Sequence, residues 1–357
     1  MTQGMSMRTR IWMVVLAVVA SGAGVAAHAA GAACKLEAVA SIDIEFNDFG
    51  NVLLPVKVNG KEAWVVLEMD SGSALVSRAA VEHLGLRIEE QHDLEMLVGN
   101  SRVTHKTVVD SLLLGTANFA RWSFYIDPRR EQAVPMYRGK PLLGSLTSQF
   151  MNVVDVELNL AARKLNLLKQ TTNCKGKQVY WGGEVTAMDL YTDQSGLMLF
   201  PMEVDGKRVE TSLNTGSRVS RISEKVSRQY FGFGRDSPGV VLDERTFVDA
   251  VPYREMALTA KALSMKDARM YLYDDMASDC TPATVDRASR AIGFHDCFSL
   301  TPLSIGTDLL QRLRIYIAPK ERKIFFTRAA TPAPGASAGP NSAASPNGPA
   351  AGGTAGQ

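Results

Sequence analysis

Between residues 53 and 67 apolar and polar positions alternate through Val56-Lys57-Val58, break at Asn59-Gly60, and resume in the more continuous apolar run Ala63-Trp64-Val65-Val66-Leu67. Alternation on both sides of an Asn-Gly pair predicts a β-hairpin, because both central residues of the tightest hairpin turn need positive φ. The pattern recurs at Met202-Glu203-Val204, Asp205-Gly206 and a returning strand that ends at Leu213. Residues 53–86 and 199–233 therefore form an internal repeat, a feature that decides the fold argument before single elements do. In each copy the returning strand runs into a quartet of acid or amide, hydroxyl, glycine and serine: Asp70-Ser71-Gly72-Ser73 and Asn214-Thr215-Gly216-Ser217. Short helical patterns follow at 78–84 and 224–230.

The two copies also end alike. Leu142-Leu143-Gly144 precedes a strand-turn-strand pattern over 153–168, and Ser304-Ile305-Gly306 precedes another over 313–327. Further strands are expected at 107–114 and 269–273. Many short strands with turn signals and few helices predict an all-β protein built from two homologous lobes in tandem, 34–180 and 185–328.

The ends of the chain have a different character. Residues 1–30 carry Arg8 and Arg10, then the apolar stretch Ile11 to Ala20, then Ala27-His28-Ala29, the order of a cleavable export signal. An uncleaved anchor is the alternative, although Ser21, Gly22 and Gly24 interrupt the ~20 solidly apolar residues that a spanning helix needs. Residues 329–357 contain only Ala, Pro, Gly, Ser, Thr, Asn and Gln, a composition unable to form a core and read as a disordered tail. An exported protein of the periplasm or cell envelope is the resulting expectation.

Composition adds exclusions. In 357 residues, 39 Lys and Arg stand against 37 Asp and Glu, so no broad electrostatic footprint for nucleic acid exists. The cysteines are Cys34, Cys174, Cys280 and Cys297, an even number that suggests two disulfides in an oxidising compartment. Three pairings are open; Cys34 with Cys174 and Cys280 with Cys297 is the favoured one. His295-Asp296-Cys297 lacks a second ligand pair at zinc-site spacing, so no metal is assigned. His83, His92 and His105 follow no ligand spacing either. Phe231-Gly232-Phe233-Gly234 lacks the strand-to-helix setting of a phosphate loop, and no Gly-x-Ser-x-Gly elbow is present.

A strand ending in Asp-Ser/Thr-Gly, repeated once and followed each time by a hydrophobic-hydrophobic-glycine segment, resembles the aspartic proteases, specifically a retropepsin-like unit in a pepsin-like tandem. The resemblance covers most of residues 50–328. It implies that each lobe is a β-barrel, an interlobe cleft for an extended peptide, no cofactor, and two facing carboxylates that share a proton and activate water. Asp70 and Asn214 would occupy the two catalytic positions. Ser71 and Thr215 would bond across to the opposite lobe, and Gly72 and Gly216 would allow close backbone approach, with Ser73 and Ser217 completing the loops. A flap is expected at the Gly99-Asn100 turn.

Asn214 departs from that family pattern. An amide matches the shape of a neutral carboxyl but cannot carry the catalytic proton near neutral pH. Three readings stand: peptide hydrolysis centred on Asp70, a pseudoprotease that binds peptides without cutting them, or an unrelated role such as a structural envelope protein. A monomer is expected. A homodimer pairing two copies of Asp70 is the other option, and it meets a steric objection because the second lobe covers that face.

Overall fold

The computed structural model describes residues 34–329, apart from 93–96, 99–100, 129–132, 173, 175, 194–195, 244–250 and 274–300 and the side chains of residues 97 and 98. The expected export signal, the tail, the Gly99-Asn100 turn and the Cys280–Cys297 pairing lie outside the described residues. The hairpins expected at the two Asn/Asp-Gly pairs are present. Val52–Val58 pairs with Lys61–Glu68, and Met198–Val204 with Lys207–Leu213. The turn residues take positive φ, Asn59 48° and Gly60 83° in the first and Asp205 44° and Gly206 77° in the second, which matches the right-handed twist of the strands they join.

Each hairpin starts a closed barrel. In the first, the ring runs Val52–Val58, Lys61–Glu68, Lys140–Thr147, Leu75–Val76, Ala117–Ile126 and His105–Leu114, and Val56 pairs with Leu114 to close it. In the second it runs Met198–Val204, Lys207–Leu213, Leu303–Ile305, Arg221–Ser223, Leu263–Tyr273 and Val251–Ala260, closed where Val204 pairs with Leu258. Closure removes free edges, and alternation then sends every second side chain inward. Leu54, Val56, Val65, Leu67, Leu112 and Phe124 fill the first interior, and Phe200, Met202, Val204, Leu258 and Met270 fill the second.

A third sheet joins the halves. Its order is Leu36–Asp43, Lys164–Gln170, Asp155–Asn159, Leu313–Ala318, Lys323–Arg328 and Thr186–Asp189, three strands from each half of the chain. The central pair sets Val156 opposite Ile317 and Leu158 opposite Ile315. Glu157, 1% exposed, is paired with Arg314 at 2.6 Å, and the guanidinium lies 3.9 Å from the Trp181 ring centroid. Such a buried ion pair is tolerated because hydrogen bonds and the ring together replace the lost water. Cys34 and Cys174 form a disulfide, the pairing favoured from the sequence, beside the outermost strand of this sheet.

The helices are short. Arg78–His83 is capped by Ser77, whose hydroxyl accepts from Ala80 N at 3.2 Å. Glu224–Val226 is capped likewise by Ser223, but the chain then widens into a π-turn over Ser227–Phe231 and stops at Gly232 in the left-handed conformation. The helical stretch expected through residue 230 is present, but it changes from α to π at Ser227, whose hydroxyl lies 2.9 Å from Glu224 O and 2.7 Å from Phe233 O and donates its one proton to either. Leu97–Val98 and Ser101–Arg102 pair in a separate two-stranded ribbon.

Candidate functional site at the barrel seam

The two quartets lie where the barrels meet, but they are not related to each other as their sequences suggest. Counted from the hairpin turns, the copies stay in step without insertion. Val65, Val66 and Leu67 take parallel partners Gly144, Ser145 and Leu146, while Thr211, Ser212 and Leu213 take Leu303, Ser304 and Ile305. Ser77 and Ser223 cap the following helices. The Ser71 hydroxyl donates to Ser73 O and accepts from Ser73 N, and the Ser217 hydroxyl does the same with Val219. Across the seam, Ser148 donates to Gly196 O and Thr307 to Gly50 O.

This register sets Glu68-Met69-Asp70-Ser71 opposite Asn214-Thr215-Gly216-Ser217. The symmetry mate of Asn214 is Glu68, and Asp70 stands at the glycine position. The correspondence expected between Asp70 and Asn214 is displaced by two residues. Gly144 is displaced too, by three residues in the opposite direction: the residue in step with Gly306 is Thr147, and Gly144 corresponds to Leu303.

Hydrogen bonds across the seam follow the structural register. Thr215 donates from its hydroxyl to Leu67 O at 2.6 Å and accepts from Met69 N at 3.2 Å, so it brackets Glu68. That is the cross-lobe bond expected of Thr215. Ser71 does not reciprocate, because its hydroxyl is committed within its own turn. The residue in step with Thr215 is Met69, 1% exposed, whose side chain enters an apolar hollow lined by Leu190, Met198, Phe200, Leu213, Ile317 and Ile324. One half of the seam is thus hydrogen-bonded and the other is held by a hydrophobic plug.

Gly216 is needed here for space. A Cβ on it would lie 2.9 Å from Glu68 Cγ. Its carbonyl accepts from the Asn51 amide, and Val52 N donates to Thr215 O at 2.9 Å, which ties the second quartet to the first barrel. Asn214 is 6% exposed and its backbone N donates to Ile305 O at 2.8 Å. By contrast Asp70, Ser71, Gly72 and Ser73 each keep part of their surface open, so the seam faces solvent on the first-barrel side.

The electrostatics are lopsided. Both carboxylates, Glu68 and Asp70, come from the first barrel; the second supplies an amide, Asn214, and the Arg221 guanidinium, which donates to the Ser217 hydroxyl at 3.0 Å. Burial first, and the neighbouring charge of Glu68 second, push Asp70 up to about 7, while a backbone hydrogen bond and Arg221 oppose the rise. Two carboxylates so placed avoid ionising together, and one of them holds a proton near neutral pH. Facing carboxylates from opposite barrels, the arrangement that the family resemblance implies, are absent from these positions among the described residues.

Sequence reasoning had named Asp70 and missed Glu68. The signal for Glu68 lay in spacing: the stretch from Gly60 to Ser77 is as long as that from Gly206 to Ser223. A four-residue motif match obscured it.

No family model and no curated protein matches the chain. Among solved structures the chain is similar to the aspartic proteinase from Irpex lacteus, with a TM-score of 0.49, 10% identity, and coverage of 84% of this chain and 99% of that one. It is also similar to Basic 7S globulin from soybean, with a TM-score of 0.46, 8% identity, and coverage of 84% and 96%.

Proposed function

We propose that this protein is a peptide-binding pseudoprotease: a two-barrel chain of aspartic-protease type whose seam holds an extended peptide without cutting it. The observation that carries this reading is the pair Glu68 and Asn214 at the symmetry-related positions. A water held between a carboxylate and an amide has a base on one side and no proton donor on the other, so the proton cycle of two-carboxylate hydrolysis does not close. The open surface of residues 70–73 supports access for a ligand, and strand addition is the mode suited to an extended chain. The Thr215 contacts fill the face that a second copy of the first barrel would need, which supports a monomer. The Cys34–Cys174 disulfide supports export to an oxidising compartment of the cell envelope.

The test is incubation with unfolded casein fragments from pH 3 to pH 8, read by mass spectrometry for cuts and by retention for binding. Retention with no cuts is expected. A variant carrying Glu68→Asp, Met69→Thr, Asp70→Gly and Asn214→Asp is expected to gain cleavage, as two facing carboxylates return. One observation favours a second reading: Asp70, raised to about 7 beside Glu68, could act with it as an acid-base pair within one barrel. Cleavage by the natural chain that disappears in Asp70→Asn would establish that reading and sink the first.

A further inference from the structure

Beside the seam, on the second barrel, a groove of about 440 Å³ has Arg218, Glu255, Asp267, Arg269, Asp308 and Arg312 in its lining. That volume is within the range of small-ligand sites. Its charges are not equally committed. Arg269 has carboxylates on two sides, Asp243 at 3.8 Å and Glu255 at 3.9 Å, and stacks on Tyr253. Asp308 accepts from the Ser220 hydroxyl at 2.7 Å and from Leu309 N at 2.9 Å; burial pushes its carboxyl up, and these hydrogen bonds and the Arg312 charge oppose the rise. Arg218 and Arg312 make no ion pair among the described residues. Asp267, at an exposed hairpin turn, is the remaining carboxylate. Three arginines and three carboxylates line the groove, and Arg218 and Arg312 are the two arginines that no carboxylate pairs among the described residues, which suits them to receive a carboxylate from outside.

Arg218 also links the groove to the seam. It directly follows Ser217, its guanidinium donates to Asp48 O in the first barrel at 2.8 Å, and its side chain lies so close to Gly50 that a Cβ there would be 2.8 Å away. Phe49, between those two contacts, is 79% exposed. A chain lying along the seam on this side therefore meets an aromatic surface and a guanidinium together.

We propose that this groove is a carboxylate subsite, in which Arg218 and Arg312 receive the acidic side chain of a bound peptide. The inference rests on the peptide-binding reading for the source of the carboxylate, and the test separates the two. Arginine is suited to the task because its planar fork meets both carboxylate oxygens.

The first measurement titrates N-acetylglutamate into the full chain and follows the arginine Nε–Hε resonances, with N-acetylglutamine as control. Saturable shifts at Arg218 and Arg312 with the acid alone are expected. Equal shifts with the amide, or none with the acid, would overturn the proposal. The second compares fluorescein-labelled peptide pools of matched apolar content, one acidic and one neutral. The acidic pool should bind about tenfold more tightly, and Arg218→Gln with Arg312→Gln should remove that margin, leaving the two pools equal. A margin that survives the double substitution would also overturn it. Should N-acetylglutamate bind while neither pool does, the carboxylate site stands and the peptide reading of the seam fails.

Discussion

Asp70 occupies a position where the other barrel has Gly216, and that exchange has an energetic signature. In the fold its carboxyl titrates at about 7 against an ordinary 3.8, with burial as the main cause and Glu68 as the second. A raised folded value means that the protonated form is favoured by folding. The contribution is therefore fullest below the ordinary value and is lost as pH climbs through about 7. Asp70→Asn cannot ionise, so its stability relative to the natural chain should grow between pH 4 and pH 8. A rise from 3.8 to about 7 corresponds to ~4 kcal/mol; with part of the side chain still facing water, a gain on the order of 2 kcal/mol is expected. Urea unfolding at the two pH values checks this, and an equal difference at both would show that Asp70 is not desolvated. Legibility at this scale was uneven. Thr215 was recognisable as the cross-lobe hydroxyl because a hydroxyl beside a seam has one obvious use. Glu68 was hidden because a glutamate at the end of a strand carries no pattern of its own.

At the level of elements, the hairpins were the most readable part of the chain, since Asn59-Gly60 and Asp205-Gly206 demand backbone angles that other pairs resist. The helical stretch after Ser223 was readable in extent but not in kind, because its change from α to π at Ser227 involves a contact with Phe233, beyond the turn. The seam between the quartet loops depends on one side chain. Thr215→Val keeps the shape and deletes the hydroxyl, leaving Met69 N and Leu67 O without that partner in a buried setting. Each orphaned buried group costs about 1–3 kcal/mol, so the variant should unfold at clearly lower denaturant while Thr215→Ser stays near the natural value. Equal loss in both variants would mean that methyl packing, rather than the hydrogen bonds, holds the loops.

For the whole molecule, the decisive feature is the sheet that takes three strands from each half. Asp155–Asn159 from the first half lies against Leu313–Ala318 from the second, and the buried Glu157–Arg314 pair sits on that boundary. The barrels are therefore not independent beads, although the duplicated sequence reads that way. The Cys34–Cys174 link closes a separation of 140 residues and anchors the strand that begins this sheet. Closing a loop of that size stabilises a chain by roughly 2–5 kcal/mol, so Cys34→Ser with Cys174→Ser should lower the urea midpoint by a corresponding amount. An unchanged midpoint would show that the shared sheet holds its first strand without the covalent tie.

Alternation, Gly-containing turns and duplication were enough to determine an all-β chain of two similar lobes, because hairpin signals are local and a repeat must bury two similar faces. The tertiary structure alone decided which residues confront one another. Strand register is set by barrel closure and by long-range pairing, as between Leu67 and Leu146 or Leu213 and Ile305. A shift of two residues leaves every side chain on its original face. An Asp-Ser-Gly motif can therefore sit two places beyond the strand end without disturbing the hydrophobic pattern that reveals the strand.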